Sequence, residues 1–482
     1  MVEIKRIVFV NPFPYYAGGV NEATLYPPLG IAYIASVVEA KGVAAKVIDA
    51  NVLKLRNDAV FEQIKSFDPD VVAISVNIVT YRAGIELSRM VKKRLKKLVM
   101  FGGPYATTSP ETVLADSKAD CVVRQEGELT VAEIVDKNGK FEGVDGVTYR
   151  KANRIIANKD RELIDDLDSL PFPAYHLLPD IGLYKSRARR VPVAPILTSR
   201  GCPYHCIYCN KGIFGFKFRA RSPENIVEEI EMLANKYGAK QIDVLDDNFT
   251  FNIKNAEKVL DLIIEKKPDI VISMQNGLRA DRLTLPLVKK MKRAGVVKVG
   301  IGIESGSQEM IKVIKKSLDL SKVTRAIKWL RDEGIFVVGF FMLGLPGEDE
   351  DSMRKTIDFA KKVNPHLANF SIVVPLPGTE LYEMVERRGG FTRPIEDGLE
   401  TGFFSSSFYY TFDNLTPETV LKYQKMAYSE FYFRPSKILE LVFTVKSVNE
   451  LKWTINTAVN VMKGVFVKPF AGYFLAKKQA AE

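Results

Sequence analysis

The chain has 482 residues, of which 46% are hydrophobic and 26% charged. That balance builds a sizeable core in two or three domains, and it excludes disorder, collagen-like repeats and a charge-driven tail protein. Lys and Arg outnumber Asp and Glu, 69 to 58, leaving a net charge of +11. Of the four cysteines, Cys202, Cys206 and Cys209 crowd into one short stretch. A triplet this tight is no disulfide framework and reads as a metal site, so a reducing, cytoplasmic compartment is the default. The first apolar run is too short for a signal peptide, and no 18-residue apolar run is free of charge, so no transmembrane helix is expected.

Residues 1–136 alternate short apolar runs (7–10, 45–48, 71–76, 98–101 and, more weakly, 121–123) with helical patterns such as 29–39 and 85–96. This predicts a doubly wound parallel sheet, Rossmann-like or flavodoxin-like, with ligands beyond the carboxyl ends of its strands. Residues 137–190 lose that rhythm and read as a connector with one hairpin and a Pro-rich stretch. A second βα series follows over 191–385, with strands expected at 196–199, 241–245, 270–274, 297–303, 337–343 and 370–374. Six strands predict a partial TIM-type barrel, again with its site at the carboxyl ends. Residues 386–482 read as a mainly helical cap, with a helix over 416–432.

The triplet is spaced C-x3-C-x2-C directly after the first barrel strand. Three thiolates hold three irons of a cubane and leave the fourth iron open. Zinc is the rival reading, although structural zinc usually takes four ligands. His205, between two of the cysteines, is badly placed to be the fourth. With the aromatic Tyr208 just before Cys209, the motif resembles the radical S-adenosylmethionine (SAM) family. The resemblance implies a [4Fe-4S] cluster on Cys202, Cys206 and Cys209 whose unique iron binds SAM, and reductive cleavage to a 5′-deoxyadenosyl radical. It also implies SAM contacts at the later strand ends. These are Asp246, Asp247 and Asn248 after the second strand, Glu304 and Ser305 after the fourth, and Gly344 and Glu348 after the fifth, with Tyr208 beside the cluster.

The preceding domain resembles that of cobalamin-dependent radical SAM proteins. Pro27, Pro28, Leu29 and Gly30 resemble the start of their first helix. Gly102 and Gly103 with Tyr105, and Glu126 with Gly127, resemble two later loops. Tyr105 stands where many relatives carry His. The Asp-x-His-x-x-Gly motif is missing, and His176, His205 and His366 all lie outside the domain. Asn77, Val79, Thr80 and Tyr81 are therefore the candidates for the lower face of a cobalamin. A dinucleotide site is excluded by the lack of G-x-G-x-x-G after the first strand. A degenerate domain kept for packing is the bland alternative. Cys121 lies in an apolar strand and reads as core.

The last 52 residues carry +5 of the net charge and interleave aromatics with lysines. This composition suits peripheral contact with an anionic membrane at its inner face, or a cap over the open barrel. No nucleic-acid motif accompanies the charge. The resemblance thus implies an enzyme that cleaves SAM reductively and, with cobalamin, methylates an unactivated carbon of a small-molecule or lipid substrate. It would draw electrons from a carrier such as a ferredoxin or flavodoxin. A cyclase or carbon-skeleton rearrangement on a hydrophobic substrate is the first alternative. A non-catalytic iron–sulfur protein for electron transfer or sensing is the second.

Overall fold

The computed structural model describes residues 3–14, 25–184, 188–392, 395, 410, 415–444 and 451. The first sheet contains β1 (Arg6–Asn11), β2 (Ala44–Asp49), β3 (Val71–Ser75), β4 (Leu98–Gly102), β5 (Cys121–Val123), β6 (Val147–Lys151) and β7 (Arg154–Ala157). Their order is β2-β1-β3-β4-β5-β6-β7. The first five run parallel, and their apolar side chains are buried because helices cover both faces. Chain order reverses between β1 and β3, so the loops leaving them part and open a crevice at the carboxyl edge. The hairpin expected in the connector is not separate. Strands β6 and β7 add antiparallel to β5, covering an edge that would otherwise stay unpaired, and the sheet runs on to Ala157.

The second sheet is built from β8 (Val193–Ile196), β11 (Gln241–Val244), β12 (Val271–Leu278), β13 (Val296–Glu304), β14 (Phe336–Leu343) and β15 (Leu367–Ile372), all parallel and in sequential order. Between β8 and β11 lie β9 (Ser199–Arg200) and β10 (Arg219–Ala220), an antiparallel pair that closes the cysteine-bearing loop 201–218. The first barrel strand starts three residues before the expected 196, with Pro195 inside it. Strand β8 is an edge strand, where the missing N–H of a proline is tolerated.

The other edge, β15, is covered by the helix Pro417–Tyr432, whose Thr416 hydroxyl caps the Thr419 N–H. Gln424, Tyr428 and Tyr432 recur every four residues and so share a helix face. The Tyr432 hydroxyl accepts from the Ala368 N–H at 3.0 Å and donates to its carbonyl at 2.8 Å. The Tyr428 hydroxyl accepts from Phe370 N–H, and the Gln424 amide donates to the Phe370 carbonyl. Side chains thus stand in for a seventh strand. Replacing Tyr432 with Phe leaves both Ala368 backbone groups unpaired, and a loss of about 2 kcal/mol in denaturant unfolding is expected.

The two sheets share one packed body. Leu29 and Tyr33 of the helix Leu29–Glu39 belong to the barrel core, and the buried Tyr175 hydroxyl donates to the Pro195 carbonyl at 2.8 Å. Among the described residues no helix is long and apolar enough to cross a membrane. The helix Pro435–Thr444 exposes Ile438, Leu439, Val442 and Phe443. Most of the basic tail (445–450 and 452–482), and with it the membrane-contact expectation, lies outside the described residues.

Candidate active site

The cysteine loop is tied shut at several points. Gly201 has φ of +81°, and a Cβ there would fall 2.3 Å from the Lys217 carbonyl oxygen, so the two ends of the loop can meet only at glycine. Cys202 N–H donates to the Gly215 carbonyl and Cys209 N–H to that of Cys206. Cys202 is buried, Cys206 and Cys209 half-buried, and all three thiols are free. Burial pushes the Cys209 thiol up to about 11, and Cys206 and Cys202 add to that, while the Lys211 and Lys316 cations oppose it. Among the described residues no three His, Cys, Asp or Glu side chains converge on one ion-sized point. His205 instead stacks on Phe216, ring centroids 4.5 Å apart.

At the end of β11, Asp246 accepts from the Thr198 N–H at 2.7 Å, from the Ser199 hydroxyl at 2.6 Å and from the Thr198 hydroxyl. Burial pushes its carboxyl up to about 6 against these bonds. Asp246 was expected to face SAM; its carboxylate is spent on pinning the chain that enters the cysteine loop. Asp247 does face the open space between the sheets. Asn248 is almost fully buried, and neither its amide oxygen nor its nitrogen has a hydrogen-bond partner. A side chain left so unsatisfied points to a ligand that completes it.

At the end of β13, Glu304 sits at φ +69° and pairs with Lys316 at 2.7 Å; Lys316 Nζ also donates to the Tyr208 hydroxyl at 3.2 Å. Tyr208 and Glu304 are thus joined through a lysine that sequence reading missed. Its one local signal is Gly302, where a Cβ would stand 2.7 Å from Glu304 Oε1 and 3.0 Å from Lys316 Nζ. Ser305 is fully buried and bonds Thr356 and Ser307, so its hydroxyl serves the loop and not an open site.

Glu348 Oε2 accepts from the Gly344 N–H at 2.6 Å and the Leu345 N–H at 3.0 Å, while its buried Oε1 has no partner. The Gly344 carbonyl accepts from the Tyr410 hydroxyl. Burial pushes Glu348 up to about 8. The folded protein therefore holds a proton that the unfolded chain releases. The associated stability is complete below the ordinary carboxylate pKa and is lost as pH rises towards 8. Thermal unfolding midpoints should fall between about pH 5 and about pH 8, and Glu348→Gln should flatten that fall.

A cavity of about 870 Å³ lies where the carboxyl ends of the two sheets face each other. Asn77, Val79, Gly102, Gly103, Tyr105, Glu126 and Gly127 line it from one side; Leu197, Asn210, Lys211, Phe214, Asp247 and Leu376 line it from the other. Gly103 has φ of +94°, and a Cβ there would fall 2.7 Å from the Val76 carbonyl oxygen. Gln125 contributes a buried, unpartnered Oε1 to the wall. Thr80 and Tyr81 do not line the cavity. The Thr80 hydroxyl accepts from the Asn77 N–H at 3.1 Å, and Tyr81 turns inward to donate to Asp116. The lower-face candidates that reach the space are Asn77 and Val79.

The loop after β5 does more than line the cavity. Glu126 takes Arg200 at 2.8 Å and Arg219 at 2.7 Å, and Glu128 takes Arg200 at 2.7 Å. All four side chains are at least 95% buried. Arg200 and Arg219 belong to the strands that bracket the cysteine loop. Burial would lower the Arg200 pKa, but Glu128 and Glu126 outweigh it and keep the guanidinium charged.

Comparison with known proteins agrees with this arrangement. The Radical SAM superfamily model matches residues 196–360 and the B12 binding domain model residues 19–135. An uncharacterized methyltransferase of Pyrococcus horikoshii is 33% identical over 455 residues, covering 92% of this chain and 95% of its own. The chain belongs to the cobalamin-binding radical SAM family. An anaerobic magnesium-protoporphyrin IX monomethyl ester cyclase of Rubrivivax gelatinosus is 27% identical, covering 78% of this chain and 69% of its own. The cobalamin-dependent SAM radical enzyme OxsB shares the fold, with a TM-score of 0.75 at 16% identity over 96% of this chain and 72% of its own. As a radical SAM protein with a B12 domain, the chain is an enzyme whose cofactors are a [4Fe-4S] cluster, SAM and cobalamin. The residues present fit that set: three adjacent thiols among cations, the unsatisfied Asn248, and a cavity with an orphaned Gln125 oxygen.

Proposed function

We propose that this radical SAM enzyme transfers a methyl group from SAM, by way of cobalamin, to an unactivated carbon of a small molecule. Cys202, Cys206 and Cys209 would hold the cluster, with Asn248, Glu304 and Tyr208 beside the SAM position and Glu348 further along the strand ends. The observation that carries the reading is the cavity, which has cobalamin-domain loops on one wall and the cysteine loop on the other. When bound, the cluster supplies the electron that cleaves SAM, and the cobalt supplies the methyl group that is transferred. The chain's own part is to orient these groups and exclude water. Leu197, Phe214 and Leu376 make that space apolar, while Lys211 and Asp247 add charges to a wall that also holds Glu126, Glu128 and Arg200. The reductant is a one-electron protein carrier of the ferredoxin or flavodoxin type.

Anaerobic protein reconstituted with iron and sulfide should release 5′-deoxyadenosine from SAM on reduction. Methyl-labelled SAM should leave its label in the product. Turnover with no retained label would replace methyl transfer by ring closure, the second reading, which the relatedness to the Rubrivivax cyclase favours. For the tail, flotation of the full chain with anionic liposomes tests membrane contact; no binding at low salt removes it.

A further inference from the structure

We propose that Glu126 and Glu128 are positioning residues that couple occupancy of the cobalamin cavity to the geometry of the cysteine loop. Glu126, Glu128 and Arg200 are all lining residues of the cavity, so a corrinoid bound there would lie against the clamp. The clamp grips both ends of the cysteine loop. Arg200 lies two residues before Cys202, and Arg219 opens the return strand. Glu126 Oε1 and Oε2 receive the two guanidinium groups, and Oε2 also takes the Ile164 N–H at 2.8 Å. Arg200 is further held between the rings of Tyr33 and Phe214, 5.0 Å and 5.2 Å from their centroids. Two carboxylates against two guanidinium groups are neutral as a set, and their forked geometry admits few registers.

Burying four charges is a poor way merely to glue two units together, because apolar contacts of equal volume do so at lower cost. What the charges add is a fixed register. If a ligand held against one side of the clamp changes the affinity at the other, the second ligand changes the affinity for the first by the same factor.

This proposal rests on the cofactor assignment above, and its test keeps the two apart. The dissociation constant of hydroxocobalamin is measured for the full-length chain with and without a reconstituted cluster. Wild-type protein should bind it at least about five-fold more tightly when the cluster is present. Glu128→Gln should bring that ratio close to one while bound iron stays at the wild-type level, and Arg200→Lys should keep part of it. A merely structural role would weaken both affinities alike and leave the ratio unchanged. A wild-type ratio of one, or an unchanged ratio in Glu128→Gln, overturns the coupling. A wild-type chain that holds iron but no hydroxocobalamin overturns the cavity assignment, and the coupling with it.

Discussion

Replacing Cys202 with alanine should strip the protein of its brown colour, bring bound iron to background and lower reductive SAM cleavage by at least ~10³-fold, about 4 kcal/mol of barrier. The reasoning is local. Cys202 is buried, its N–H is tied to Gly215, and Lys211 stands beside its thiol. Alanine keeps that backbone and removes only the sulfur, so the loop closes as before with one of the three proposed iron ligands missing. Cys121 supplies the control. It is fully buried in β5, and burial pushes its thiol well above the ordinary range, which makes it an inert apolar side chain. Cys121→Ala should keep full iron and SAM cleavage and lose only about 1 kcal/mol of stability. Iron and acid-labile sulfide, with 5′-deoxyadenosine measured alongside, separate the two variants.

Most strands of the first sheet were legible because a parallel sheet buried on both faces demands apolar runs, while the barrel strands keep apolar residues around buried polar ones such as Gln241 and Asp243. Strands β8 and β15 both start three residues earlier than expected, β8 because Pro195 ends most strands but not an edge strand. The cysteine triplet stood out because spacing along a loop is a local property. Asp246 and Ser305 show the limit of that locality. They stand at the expected strand ends, but whether a carboxylate or hydroxyl faces a ligand or its own loop depends on a neighbouring strand, which spacing does not reveal.

The charged network was wholly out of reach. Glu126 meets Arg200 and Arg219 across 74 and 93 residues, and Lys316 meets Tyr208 across 108. Arginine and glutamate on a short strand or loop read as solvated surface, and nothing in their local pattern says that they pair with each other in the interior. The tyrosine ladder on β15 was hidden likewise. A helix with Gln424, Tyr428 and Tyr432 on one face looks amphipathic until the strand edge that it completes is known.

Glu126 is where that hidden network is most exposed to a single change. Glu126→Ala should destabilise the full-length protein by ~3–5 kcal/mol in denaturant unfolding, because it removes one member of a buried charge set and leaves the others uncompensated. Arg219 would retain only carbonyl partners, at 2.6 Å from Ile164 and 3.0 Å from Phe214. Arg200 would keep Glu128, and the Ile164 N–H would lose its acceptor. Glu126→Gln should cost less, since an amide oxygen still accepts one of these bonds. Replacing Glu126 and Arg219 together by apolar residues of similar volume should recover most of the loss, as buried ion pairs are seldom more stabilising than good packing. A double variant as weak as Glu126→Ala would mean that packing around Arg219, and not its charge, is what the position requires.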